Sequence, residues 1–385
     1  MSDLETRPII ALADSLGQEW TNLREANKAA DKAKTELEDL LNSELGRNFA
    51  SEDGNLVVFG SLARKEWIDY VSDLDWTYLV DGQARSEHLD ISQAIKETLP
   101  KSQRSAQPPH NKRQADVEYR FGAPGQTATF GNLEFSQPLI RHIGGQDDSN
   151  KNTTQRVLLL LESVAVGMHA AHERVVRAII RRYLEEEPHL VVTEENRFKV
   201  PRFLLNDVVR FWRTMAVDFA SKQRDRGGEG WGLRNAKLRM SRKLIFASGL
   251  LTCFSCHLDQ NLQAKIPTGD RDVKSARKLN LIQLENHLWN YTQQTPLDTM
   301  ASSIRDYGIR NNVAVQLFSA YDEFLGMMSD SDKRKHLKTL RAEQSRTDQV
   351  FQQVRAFSNK FQDALNQIFF EHELLALQTR KYGVF

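Results

Sequence analysis

Four residues in VVFGSLARKEWIDYVSDLDWTYLV (57–80) have the types and spacing for phosphate chemistry: Gly60, Ser61, Asp73 and Asp75. Gly60 ends a short apolar run, where a glycine lets the backbone turn sharply and lets a ligand come close. Ser61 stands where a helix would begin over LARKEWI. Free N–H groups at a helix start, with a hydroxyl beside them, make an anion site. Asp73 and Asp75 are two apart in the next apolar run, so on a strand both carboxylates project from one face. Two such carboxylates do not both stay ionised without a cation, and hard oxygen ligands of this kind favour Mg²⁺. Leu74, between them, is expected to point the other way, into the core. A phosphate cradle beside a metal-holding carboxylate pair is the equipment of phosphoryl or nucleotidyl transfer, in which metal ions neutralise developing charge and positioning does most of the catalysis.

The elements that must position these residues can be read from periodicity. Residues 8–47 carry good helix formers with apolar residues at helical spacing. NLVVFG (55–60) and DLDWTYLV (73–80) are β-branched and aromatic and predict strands. SEHLDISQAIKETL (86–99) predicts a helix, KSQRSAQPPHN (101–111) a loop, QADVEYRF (114–121) a third strand, and GAPGQTATFGN (122–132) a second loop. GGQDDSNKNTT (144–154) is a polar connector. Beyond it the pattern is almost wholly helical, with RVLLLLESVAVGMHAAHERVVRAIIRRYLEE reading as one long periodic tract. The expected fold class is α+β: a small α/β unit with a mixed sheet, then a larger all-helical domain. The expected division is an N-terminal helical segment (1–48), the α/β unit (49–143) and the helical domain (155–385).

FGSLAR followed by SDLDW resembles the nucleotidyltransferases of the DNA polymerase beta superfamily, whose signature is Gly-Ser after an apolar strand and Asp-x-Asp on the next. The likeness covers about residues 55–80 firmly and 50–143 loosely. It implies that Gly60, Ser61 and Arg64 help bind the triphosphate of a nucleotide substrate and that Asp73 and Asp75 hold Mg²⁺, two ions in all. It also implies a third carboxylate on a later strand. Asp116 and Glu118, which alternate in QADVEYRF, are the candidates, with Asp116 nearer the family pattern and Glu134 a weaker third. The third carboxylate would complete the metal site and help deprotonate the acceptor hydroxyl. The structural alternative for the whole stretch is an α/β segment with surface aspartates.

Family members usually carry a helical domain that closes over the nucleotide. From Lys222 to Lys243 there are eight Lys or Arg against two Asp or Glu. Arg234 with Lys237, and Arg239 with Arg242, share parts of a helix surface, as do Asn206 and Arg210 on the preceding helix. Asn206, Arg210, Arg234 and Lys237 are therefore nucleotide- or acceptor-binding candidates, against the alternative of a solvated charged face. GEGWGLRNAKLRMSRKL loosely resembles the segment after the catalytic domain of signal-protein uridylyltransferases. The chain has no His-Asp dipeptide, so the phosphohydrolase activity that accompanies some of those proteins is not expected.

Composition limits the remaining classes. The chain has 385 residues, 40% hydrophobic and 27% charged, with a net charge of +1. That is ordinary globular composition, without the global positive charge of a polyanion binder. A long RNA acceptor is therefore less favoured than a protein or a small molecule or nucleotide, since counterion release needs many cationic contacts. No apolar run reaches the ~18 residues of a membrane span, so a soluble cytoplasmic protein without membrane association is expected. Cys253 and Cys256 lie in an apolar helical run and read as core rather than metal or redox ligands. His110, His142, His172 and His257 are scattered and read as structural or exposed. The expected activity is Mg²⁺-dependent transfer of a nucleoside monophosphate from an NTP to a hydroxyl, releasing pyrophosphate. The rival reading is a non-catalytic, nucleotide-sensing helical interaction protein with a degenerate site.

Overall fold

The computed structural model describes residues 7–99, 133–192, 195–225, 228–267 and 272–383. The strand expected over 114–121, with Asp116 and Glu118, and the loops expected on either side of it lie outside the described residues. The architecture is α+β, a small mixed sheet followed by a largely helical region. The chain divides into two units: a sheet unit, Glu25–Ile179, and a helical unit, Met1–Arg24 with Ile180–Phe385.

The first described helices are α1 (Pro8–Ser15) and α2 (Thr21–Leu45). The single helical tract expected over 8–47 is interrupted because Gly17 takes a left-handed φ of +63°. Gly17 N–H then bonds Asp14 O at 3.2 Å, and Gln18 N–H bonds Ala13 O at 2.9 Å. This double closure satisfies the last carbonyls of α1 and ends it.

In the sheet unit, β1 (Gly54–Phe59) runs into a single helical turn, α3 (Gly60–Ala63). There follow β2 (Asp75–Val80), α4 (Ser86–Thr98), β3 (Leu133–Phe135), α5 (Ser136–Arg141), α6 (Asn150–Leu161), β4 (Ser163–Val166) and α7 (Ala170–Glu185). The strand order is β3-β2-β1-β4, with β1 antiparallel to β2 and β4, and β2 parallel to β3. β4 corrects the single helix expected from RVLLLL to YLEE. Val164 and Val166 alternate onto one sheet face opposite Val58 and Leu56, and strand pairing overrides the helical period of the leucines and isoleucines on either side.

One sheet face packs under α2, whose Ala30, Ala33, Leu37 and Leu41 form a stripe at helical spacing. They meet Leu56, Val58, Trp76, Tyr78, Val80 and Val166, with Ile95 and Leu99 alongside. The other face, with Asn55, Val57, Phe59, Thr77 and Leu79, is buried as well. Burial on both faces explains why β1 and β2 read as apolar runs rather than strict alternation.

The helical unit begins in the last turns of α7. It contains a short hairpin, β5 (Val191–Val192) with β6 (Arg197–Phe198), and then α8 (Arg202–Asp225) and α9 (Trp231–Lys237). α9 continues through a π-helical turn (Leu238–Arg242) into α10 (Lys243–Leu258). The later helices are α11 (Gln260–Gln263), α12 (Val273–Thr292), α13 (Pro296–Asp306), α14 (Asn311–Ser329), α15 (Ser331–Thr339), α16 (Gln349–Asn366) and α17 (Glu373–Gln378). Asp259, Asp272, Thr295, Asp330 and Asp348 cap α11 to α13, α15 and α16 with side-chain oxygens, satisfying N–H groups that the helices leave open. α10 is buried almost end to end, and burial pushes the thiols of Cys253 and Cys256 up, as for core residues. Among the described residues no helix is long and apolar enough to cross a membrane.

Each unit also buries a neutral histidine. His172 Nε2 lies 2.8 Å from Ser163 Oγ, and Ser163 Oγ is 2.7 Å from Leu159 O. His287 Nε2 lies 2.8 Å from Ser255 Oγ, itself 2.8 Å from Thr252 O. A hydroxyl has one hydrogen, and a carbonyl can only accept it, so in each pair the imidazole Nε2 is assigned as donor. Burial lowers both imidazoles to about 4. Between about pH 6.5 and 4 the unfolded chain then binds protons that the folded chain does not, so stability falls as pH drops through that window. The expected loss is about 3 kcal/mol per histidine. Urea denaturation at pH 7 and pH 4 measures it, and His172→Gln should remove its share of the difference. An undiminished difference in that variant would show that His172 is not a source of the acid sensitivity.

Candidate active site

The site starts from strand register. Phe59 pairs directly with Asp75 across the antiparallel β1/β2 ladder. The residue after Phe59 is therefore set beside the Asp75 carboxylate. That residue is Gly60, at φ +69°. A Cβ there would stand 2.9 Å from Asp75 Oδ2, closer than such atoms approach. The left-handed φ favours glycine here, and an added Cβ would have to displace the Asp75 carboxylate as well.

Alternation sorts the neighbouring residues. Leu74 and Trp76 are buried in the core under α2. Asp75 is half-buried and Asp73 exposed. Ser61, in α3, is half-buried.

The connection from Ser61 to Asp73 is held from within. Trp67 is fully buried and donates from Nε1 to Asp69 Oδ1 at 3.0 Å. Ile68 N–H donates to Ser72 Oγ at 3.0 Å. Lys65 and Tyr70 take left-handed φ values of 59° and 60°, which costs side-chain-bearing residues about 1 kcal/mol each. Such strain persists where the surroundings over-determine the backbone.

Arg64 is buried, and its charge is engaged within the protein. Its Nε lies 2.9 Å from Glu66 Oε2, and its Nη1 pairs with Glu162, the residue before β4. It ties the turn after β1 to the start of β4. Glu162 is remote in sequence, and no local pattern marks it as a partner.

The other predicted residues are placed as follows. Glu134 lies on β3 opposite Leu79. Leu79 is four positions along β2 from Asp75, about 13 Å at roughly 3.3 Å per residue. Glu134 instead accepts from Lys151 Nζ at 2.7 Å. Asn206 and Arg210 lie on α8, and Arg234 and Lys237 on α9, all in the helical unit. Arg210 Nη1 pairs with Asp207 Oδ1 at 3.0 Å, and Arg234 Nη1 donates to Glu229 O at 2.5 Å. Of the histidines, His257 Nδ1 is 2.8 Å from Phe198 O, a structural contact, and His110 lies outside the described residues.

Among the described residues no three His, Cys, Asp or Glu side chains gather as a metal site. The donor set at the turn is the pair Asp73 and Asp75. Oxygen-only donors, with a glycine cradle clearing the approach to one of them, fit Mg²⁺, which binds through one or two carboxylates and otherwise keeps water or substrate phosphates.

Two substitutions test this construction. Gly60→Ala is expected to cost about 2 kcal/mol in urea denaturation. Gly17→Ala, at φ +63° with nothing within 4 Å of the added Cβ, should cost about 1 kcal/mol. Equal costs would remove the Asp75 contact from the account. Arg64→Met strands two buried carboxylates and should cost about 3–5 kcal/mol, whereas a loss below about 1 kcal/mol would mark the pairs as solvent-screened.

No family model matches the chain, and neither does any curated protein or solved structure.

Proposed function

We propose that the sheet unit is the catalytic part of a Mg²⁺-dependent nucleotidyltransferase. The observation that carries this reading is the fit of Gly60 against the Asp75 carboxylate. It joins the two halves of the Gly-Ser and Asp-x-Asp pattern at one point of the β1/β2 ladder.

In this reading Asp73 and Asp75 hold the metal. When bound, Mg²⁺ supplies charge neutralisation on the triphosphate and lowers the pKa of the acceptor hydroxyl. Gly60 leaves the approach to Asp75 clear of side chain. The Ser61 hydroxyl donates to a phosphate oxygen. Asp116 or Glu118 supplies the third carboxylate and takes the acceptor proton. The Arg64 pairs keep the turn in place rather than meeting the nucleotide. The acceptor is a protein, small-molecule or nucleotide hydroxyl, and the other product is pyrophosphate.

The test is incubation of the full chain with each of the four α-labelled NTPs and Mg²⁺, read on a protein gel, on a thin-layer plate and by pyrophosphate release. Asp73→Asn with Asp75→Asn should fold normally and lower turnover by about a thousandfold, the scale of lost electrostatic stabilisation. Near-native turnover in that variant would remove the metal assignment. NTP binding without pyrophosphate release in the wild type would favour a nucleotide-sensing module.

A further inference from the structure

Within the helical unit, the face that carries Asn235 of α9, Arg239 of the π-helical turn and Lys243 of α10 meets the face of α16 that carries Arg355, Ser358 and Gln362. The spacings of four on one side, and of three and four on the other, align each set along one helix surface. Arg239 Nε donates to Asn235 Oδ1 at 2.7 Å, and its Nη1 to Ser358 Oγ at 3.4 Å. Lys243 Nζ donates to Gln362 Oε1 at 2.5 Å. Arg355 Nη2 donates to Ser345 Oγ at 3.4 Å, and its guanidinium lies 5.5 Å from the Phe351 ring centre. Three cations thus meet on one half-buried seam, and every hydrogen-bond partner is neutral.

Other cations of this unit are treated differently. Arg7 pairs with Asp298, Arg181 with Glu285, Arg210 with Asp207 and Lys360 with Glu323. Among the described residues no carboxylate pairs with Arg239, Lys243 or Arg355. Burial lowers Arg239, and the nearby Arg355 charge lowers it further. Burial likewise lowers Lys243, with Arg239 adding to it. No acidic group acts in the opposite sense on either. Holding like charges together out of water is unfavourable, and an added anion relieves it. Arg239 also sits in the π-helical turn, one of three in the described helices, a local geometry frequent at functional sites.

We propose that Arg239, Lys243 and Arg355 form a binding site for an oligophosphate group, such as the phosphate chain of a nucleotide or inorganic tripolyphosphate. Charge count selects this class. A single carboxylate would leave two of the three cations uncompensated, whereas a di- or triphosphate carries about as much charge as the seam presents. Geometry agrees, since guanidinium forks take pairs of phosphate oxygens while a lysine adds a point charge. The hydroxyls of Ser345 and Ser358 give their own hydrogens to Ala342 O and Arg355 O, so the three cations are the donors a phosphate chain would meet. The inference does not depend on the reading of Asp73 and Asp75.

Calorimetric titration of the full chain with inorganic tripolyphosphate tests it, at low ionic strength and in EDTA so that no metal site contributes. Wild type should bind at one site, more weakly as salt is raised. Arg239→Gln and Lys243→Gln should each weaken binding about tenfold or more, the worth of one hydrogen bond to a charged group. Asp73→Asn with Asp75→Asn should leave it unchanged. Both glutamine variants keep a polar side chain at half-exposed positions, and thermal melts check that they fold. ATP binding more tightly than tripolyphosphate in the same buffer would identify a nucleotide as the ligand. Equal or weaker binding would identify the phosphate chain itself. No binding by the wild type, or unchanged affinity in both glutamine variants, would overturn the proposal.

Discussion

The contact between the bare Gly60 backbone and the Asp75 carboxylate is the constraint on which the sheet unit is arranged. It exists because β1 and β2 pair antiparallel in a register that sets Phe59 across from Asp75. A slip of one residue would send both aspartates to the side of α2 and Trp76 and Leu74 to the opposite face. The register is held by the apolar residues facing α2, from Leu56 and Val58 to Trp76, Tyr78 and Val80. Core packing and site geometry are therefore one specification, enforced by the same alternation along β2.

Arg64 adds a second anchor of a different kind. A cation buried between Glu66 and Glu162 is a poor source of net stability, because desolvation offsets most of the attraction. Its value is in fixing where the turn after β1 lies relative to the start of β4. The left-handed backbone at Lys65 and Tyr70 is tolerated because this anchor and the buried Trp67 leave the connection no looser alternative. Rigidity of this order is what the metal-holding role proposed for Asp73 and Asp75 would require.

Much of this was legible in the sequence, and the gaps have identifiable causes. β1, β2 and α4 announce themselves through β-branched runs and helical spacing, and they lie within about a residue or two of expectation. β4 was hidden, since Ser163–Val166 is a short segment between two strongly helical tracts and its strand character comes only from pairing with β1. That strand lies beyond 143 and within the sheet unit, Glu25–Ile179. The motif singled out Gly60 and Asp75, but it did not show the ion pairing of Arg64, because its partner Glu162 is far away in the chain. The basic run in α9 and α10 shows the same limit. Spacing grouped Arg234 with Lys237 and Arg239 with Arg242, whereas the fold groups Arg239 with Lys243 and with Arg355 on α16.

The helical unit is discontinuous in sequence, and this has a consequence for how the protein is made. Its first segment, with α1, is fastened to distant residues: Arg7 to Asp298, Trp20 to Ser319, and Asn22 and the Leu23 amide to Asp322. On the ribosome these early residues emerge long before their partners exist. At about 5–20 residues per second, the wait is roughly 15 to 60 seconds. During that time the apolar side chains of Ile9, Ala13 and Trp20, all buried in the finished protein, have no native surface to cover them. The sheet unit can complete itself in the interval, once residue 179 is clear. The N-terminal segment therefore waits longest for the surface that buries it.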